Sequence, residues 1–203
     1  MGIEPHNVED HLTEYLIRLA GVAECRDPDV PVHLRRISLC SRIMTRHIGW
    51  MEHQVTMIGY AALAHDIGKI AVPEAVLLKP GPLTPEEYEI SKRHTTVGAE
   101  ILGDSDVPLV RMAARIALSH HERWDGAGYP SGLQGEKIPL EARIVSVIDV
   151  FDALVGSRCY KEPIRIDRSI QILRENSGMH FDPAIVGFFV ECLDEILHVY
   201  RTG

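Results

Sequence analysis

Long apolar runs are missing from this sequence. No stretch approaches the roughly 20 consecutive apolar residues that a membrane-spanning helix needs, so no membrane insertion is expected. The first residues also lack the basic-then-apolar pattern of a secretion signal. Cysteine is scarce: Cys25, Cys40, Cys159 and Cys192 are scattered, and no two form a C-x-x-C pair. That spacing excludes a thiolate zinc knuckle and offers no disulfide framework, and it reads as a reduced, cytoplasmic chain. Basic charge is in deficit, with 21 Lys plus Arg against 29 Asp plus Glu and a net charge of -8. Such a chain has no broad cationic footprint for duplex nucleic acid. A small anionic substrate stays open, because a local cationic pocket can oppose the global field. Internal repeats, low-complexity tracts and a convincing strand alternation are absent too.

Helical periodicity is what the sequence has instead. Its 203 residues suit one domain, or one domain with a short appendage. Leu12, Leu16, Leu19 and Val22/Ala23 form one stripe, Ile37, Met44 and Ile48 a second, and Val55, Ile58 and Ala62 a third. Thr84-Pro85-Glu86-Glu87 predicts a helix start with a capping box, and that helix is expected to run to Gly103. Pro108 opens another helix, which reaches His120. A Gly-rich loop follows from Arg123 to Pro139. Leu140 to Leu154 reads as a buried helix, although its Ile144 to Ile148 run also fits a strand. Asp182-Pro183 caps a last helix with Ile185, Phe188/Phe189, Cys192 and Ile196 inward. The fold class is therefore all-α, a helical bundle. A boundary falls near Asp27-Pro28, giving an N-terminal linker-like helix over 1–26 and the main domain over 27–203.

Histidine is abundant, at 11 residues. His33, His65-Asp66, His94, His120-His121 and Asp149 make an ordered series at or near predicted helix ends or within helices. Nitrogen and oxygen donors without sulfur suit Fe, Mn, Zn or Ni. One hydrolytic metal usually takes three protein ligands and a water. Seven candidates exceed that and fit two ions sharing a carboxylate. Any one of these residues alone is weak, since His-Asp pairs arise by chance and His120 and His121 within a helix would point about 100° apart.

The motifs around these residues carry a resemblance. His65-Asp66-Ile67-Gly68-Lys69 resembles the HD-x-G-K signature of HD-domain phosphohydrolases. His120-His121-Glu122, followed by Asp125-Gly126-Ala127-Gly128-Tyr129-Pro130, is similar to the segment that defines the HD-GYP family. Leu78 to Thr84, Ile148 to Leu154 and Arg158-Cys159-Tyr160-Lys161 also match, with Cys159 where that family usually has proline. The match runs from about Arg26 to Pro183.

The resemblance implies an HD-type helical fold and hydrolysis of cyclic di-GMP to pGpG, GMP or both by a metal-bridged hydroxide. It implies two or three divalent metal ions, with iron first and manganese next. His33, His65, Asp66, His94, His120, His121 and Asp149 match its metal ligands, with Asp66 as the bridging carboxylate. Asp29 stands where some relatives have a Glu ligand to a third metal; it also suits a helix cap, because Pro31 places it before the first turn. Asp66 and Lys69 are the catalytic candidates. Lys69, Gly128, Tyr129, Arg158 and Lys161 match substrate-binding positions. For Tyr129, a stacking surface for guanine and a structural loop anchor are equally open. The resemblance also leaves room for a homodimer through the N-terminal helix and a diguanylate cyclase contact through the GYP loop. The rival readings are an HD hydrolase of mononucleotides or ppGpp, a catalytically silent cyclic di-GMP binder, and a di-iron oxygenase.

Overall fold

The computed structural model describes residues 5–23, 30–156 and 164–202, with side chains at 14–23, 31–156 and 164–202. Among these residues the fold is all-α, and its only β pairing is an isolated bridge between Ser177 and Phe181. The helices are α1 (Pro5–Ala23), α2 (Val30–Ile48), α3 (Glu52–Ala61), α4 (Glu74–Leu77), α5 (Pro85–Leu102), α6 (Pro108–Ser119), α7 (Leu140–Val155), α8 (Ile166–Glu175), α9 (Pro183–Glu191) and α10 (Leu193–Thr202). Two 3-10 turns, Ala62–Ala64 and Ile67–Ala71, follow α3, and a third, Gly135–Lys137, precedes α7.

The expected punctuation is in place. The Thr84 hydroxyl accepts from the Glu87 amide, and the Glu87 carboxylate accepts from the Thr84 amide at 2.8 Å, so α5 starts on its capping box. Gly103 ends α5 with φ 66°, a conformation that favours glycine. Asp182 caps α9 by accepting from the Ala184 amide.

The segment that fitted either helix or strand is the helix α7. Ile144, Val145, Val147 and Ile148 are all fully buried, because α2, α6, α8 and α9 pack around it. A helix covered on every side shows no polar face, which explains its ambiguous pattern. Phe151 continues it into the core, edge-on to Phe189 and Tyr200.

Two expectations need correction. On α1 the inward stripe is Leu16, Ala20 and Ala23, while Leu19 and Val22 are 55% and 59% exposed. Two of the three inward residues are alanines, whose small side chains carry little apolar signal. The expected single last helix is two, α9 and α10, because the backbone leaves the helical region at Cys192 (φ −98°, ψ 17°). Ile185, Phe189, Cys192 and Ile196 are nevertheless all buried. No described helix is long and apolar enough to cross a membrane.

Candidate metal centre

The His/Asp series converges at one place. His33 comes from α2, His65 and Asp66 from the turn after α3, His94 from α5, His120 and His121 from the end of α6, and Asp149 from α7. The turn carrying Asp66 meets α5 through two glycines. A Cβ on Gly98 would contact the Ala117 methyl at 3.3 Å and the Gly68 amide nitrogen at 3.3 Å, so α5, α6 and the turn approach closely. Asp66 itself leaves the helical conformation at φ −107°. The helix α6 stops at Ser119, with His120 as its cap. His120 and His121 are thus not two faces of one helix; their rings lie together, 4.0 Å apart.

Two donor groups result. Ligand atoms of Asp66, His94, His120 and His121 lie within 4.8 Å of one another, as do those of His33, His65 and Asp149. Asp66 faces both groups. Its Oδ1 is 3.3 Å from His94 Nε2 and 3.6 Å from His120 Nε2, and its Oδ2 is 3.2 Å from His65 Nε2. Asp149 Oδ1 is 3.9 Å from the Nε2 atoms of both His33 and His65.

Backbone and carboxylate acceptors orient the imidazoles. Nδ1 of His65 donates to the Ala62 carbonyl at 2.9 Å, Nδ1 of His94 to Ser91 at 2.7 Å, and Nδ1 of His120 to Ile116 at 3.0 Å. A carbonyl can only accept, so Nδ1 carries the proton and Nε2 of the neutral ring presents a lone pair to the centre. His33 is set by Asp152 instead, with Nδ1 to Oδ2 at 2.8 Å. Sequence reading gave Asp152 no role. Its signal was its position, one turn after Asp149 on the same helix. Arg36 Nη1 lies 3.6 Å from the other oxygen of Asp152.

Electrostatics favour the charged forms of Asp66 and Asp149 and the neutral forms of His94 and His121. Burial works to raise the Asp66 pKa, but Lys69 and His65 overrule it and hold the carboxyl well below the usual range. Asp149 behaves likewise: burial opposes ionisation, and His65 and His33 together outweigh it. Burial pushes the His94 and His121 pKa values down, and neighbouring imidazoles add to the effect. Asp66 Oδ1, His94 Nε2 and His120 Nε2 are buried without hydrogen-bond partners. Each such atom costs about 1–3 kcal/mol, and a cation among them would relieve that cost. The residues present therefore fit a divalent metal ion, and the donor set of imidazoles and carboxylates contains no sulfur.

Lys69 lies on the 3-10 turn and pairs through Nζ with Asp66 Oδ2. Gly128 is required by close approach, since a Cβ there would stand 2.3 Å from the Arg123 nitrogen. Tyr129 stacks on His121 at 4.9 Å and precedes a cis peptide bond to Pro130. Glu122, part of the His120-His121-Glu122 motif but given no role from sequence, is buried and fastens this loop: its carboxylate accepts from the Ser131 amide at 2.7 Å and the Leu133 amide at 3.0 Å. Its signal was its place directly after His120-His121. Asp29, Arg158 and Lys161 lie outside the described residues.

The model of the HD domain matches residues 19–185. The chain belongs to the HD domain family. Over 193 residues it is 45% identical to a cyclic di-GMP phosphodiesterase of Thermotoga maritima, an alignment covering 95% of this chain and 52% of that one. It is also 45% identical over 192 residues to a cyclic di-GMP phosphodiesterase response regulator of Xanthomonas campestris, covering 95% and 49%. The chain thus spans about half the length of these relatives. An HD-GYP-type protein of Bdellovibrio bacteriovorus superposes with a TM-score of 0.63 at 22% identity, over 82% of this chain and 51% of that one, which is a likeness of fold. The HD-domain architecture and the HD-GYP resemblance of the motifs are borne out together.

Proposed function

We propose that this HD domain is a metal-dependent phosphodiesterase that hydrolyses cyclic di-GMP to pGpG, GMP or both. The observation that carries the reading is Asp66, whose two oxygens face two separate donor groups. In this reading His33, His65 and Asp149 would hold one ion and His94, His120 and His121 the other, with the Asp66 carboxylate available to both groups. Iron is the first choice and manganese the next, and Asp29 would serve a third ion. Bound divalent ions supply an activated water and neutralise charge on a phosphoryl group.

The protein's own groups divide the remaining work. The Nδ1 bonds hold the imidazoles in the donor tautomer. Lys69 stands beside Asp66 and brings an ammonium to the phosphoryl oxygens. Arg158 and Lys161 grip phosphate from the segment that follows α7. Gly128 and Tyr129 shape the loop over the site. The named activity of the relatives at 45% identity supports the substrate. Residues 1–26 serve as an N-terminal segment through which two copies pair, and 27–203 as the catalytic domain. The GYP loop is the surface offered to a diguanylate cyclase, and the protein works in the cytoplasm.

The test is turnover by purified protein loaded anaerobically with iron or manganese, with cyclic di-GMP and cyclic GMP-AMP offered separately and products resolved by chromatography. Formation of pGpG or GMP only with metal is expected. Loaded protein that binds cyclic di-GMP without cleaving it would replace this reading with that of a silent receptor.

A further inference from the structure

The ring of Tyr129 is engaged within the protein. His121 stacks on it with 29° between planes, and the Lys92 ammonium stands over it at 5.5 Å. It therefore behaves as a loop anchor that also supports His121. The open aromatic surface beside the site belongs to another residue. Tyr88 on α5 is 47% exposed and meets Tyr129 edge-on at 6.2 Å. Lys92, one turn further along α5, places its ammonium 4.7 Å from the Tyr88 ring centre. Two residues on, the same helix supplies His94 to the donor cluster.

We propose that Tyr88 and Lys92 form a base-and-phosphate subsite, with Tyr88 stacking one purine and Lys92 pairing with the phosphate that is not being cleaved. This deepens the reading above and rests on a cyclic dinucleotide substrate. A cyclic dinucleotide has two bases and two phosphates, and a metal centre addresses only one phosphate at a time. An exposed ring gives a base a π-face regardless of its identity. An ammonium beside it offers a point charge that a phosphate fits. Lys92 is held meanwhile by Glu89 at 2.6 Å, but Glu89 is 69% exposed. An exposed pair of this kind is weak, so an incoming phosphate can displace it.

The experiment uses metal-loaded protein and cyclic di-GMP, with Tyr88→Ala, Tyr88→Phe and Lys92→Ala. Tyr88→Ala is expected to raise KM about tenfold with kcat within about twofold, and Tyr88→Phe to restore KM because only the ring is needed. Lys92→Ala is expected to raise KM and to flatten its dependence on salt. Elemental analysis should find wild-type metal content in all three. Unchanged KM in both alanine variants would overturn the subsite. So would joint loss of kcat and metal in Tyr88→Ala, which would make Tyr88 a prop for Tyr129 and His121. Wild-type protein that never turns over cyclic di-GMP would overturn the substrate reading and this subsite with it, an outcome distinct from normal turnover with unaltered variants.

Discussion

Gly68 lies directly against His94: a Cβ on Gly68 would stand 1.9 Å from the His94 carbonyl oxygen and 2.5 Å from the Gly98 amide nitrogen. Both neighbours are backbone and cannot rotate away. Gly68→Ala should therefore cost more than about 2 kcal/mol of stability and push Asp66 and His94 apart. Urea denaturation and elemental analysis together check this, with loss of both stability and metal expected. Gly187 is the control: a Cβ there meets nothing within 4 Å on the exposed side of α9, so Gly187→Ala should stabilise by roughly 0.5–1 kcal/mol.

Asp152 and Asp66 should separate two kinds of defect. Asp66→Ala removes the carboxylate shared by both donor groups, so turnover should vanish and bound metal should fall, while circular dichroism remains helical. Asp152→Ala leaves every donor in place but frees His33 from its 2.8 Å bond. Its metal affinity should drop by about 10–100-fold, measured by competition with a chelator. Equal metal affinity in Asp152→Ala and wild type would mean that His33 needs no orienting partner.

Stability of the metal-free protein should fall on the acid side in two stages. His94 and His121 have pKa values lowered by burial. Below about pH 6.5 the unfolded chain protonates these imidazoles while the folded state resists, so unfolding is favoured as pH falls from there. The Asp66 pKa is also depressed, because Lys69 and His65 outweigh the opposing effect of burial. Its stabilisation is complete above the unfolded carboxylate pKa of about 3.9 and is lost as pH falls through the lower folded value. Denaturation midpoints between pH 8 and pH 3 test this. A flat profile between pH 7 and pH 5 would contradict the histidine part.

Glu122 is a lock for the loop rather than a donor to the cluster. Replacing it with Ala leaves the Ser131 and Leu133 amides without their acceptor, a loss of about 1–3 kcal/mol. The segment 123–139 should become the first site of proteolysis in Glu122→Ala. Glu122→Gln, which keeps one carbonyl oxygen, should lie between that variant and wild type. Protease resistance equal to wild type in Glu122→Ala would place the lock elsewhere, in the backbone bonds from Trp124 and Asp125 to His180 and Met179.

The sequence by itself determined the starts of α5 and α9, because a cap is a local event: Thr84 with Glu87, and Asp182 before Pro183, need only neighbours a few residues away. The order of the His and Asp series is also legible in the sequence, since residue type and order need no coordinates, and the structure brings His33, His65, Asp66, His94, His120, His121 and Asp149 together. Tertiary structure decided what depends on distant partners. α7 is a helix whose pattern hides its type because four helices cover it. The inward face of α1 is carried by Ala20 and Ala23, which read as neutral until packed. Asp152 gains its role from His33, 119 residues away, and Tyr129 loses its open face to His121. Such assignments rest on which groups meet across the bundle, and periodicity along one helix carries no information about its neighbours.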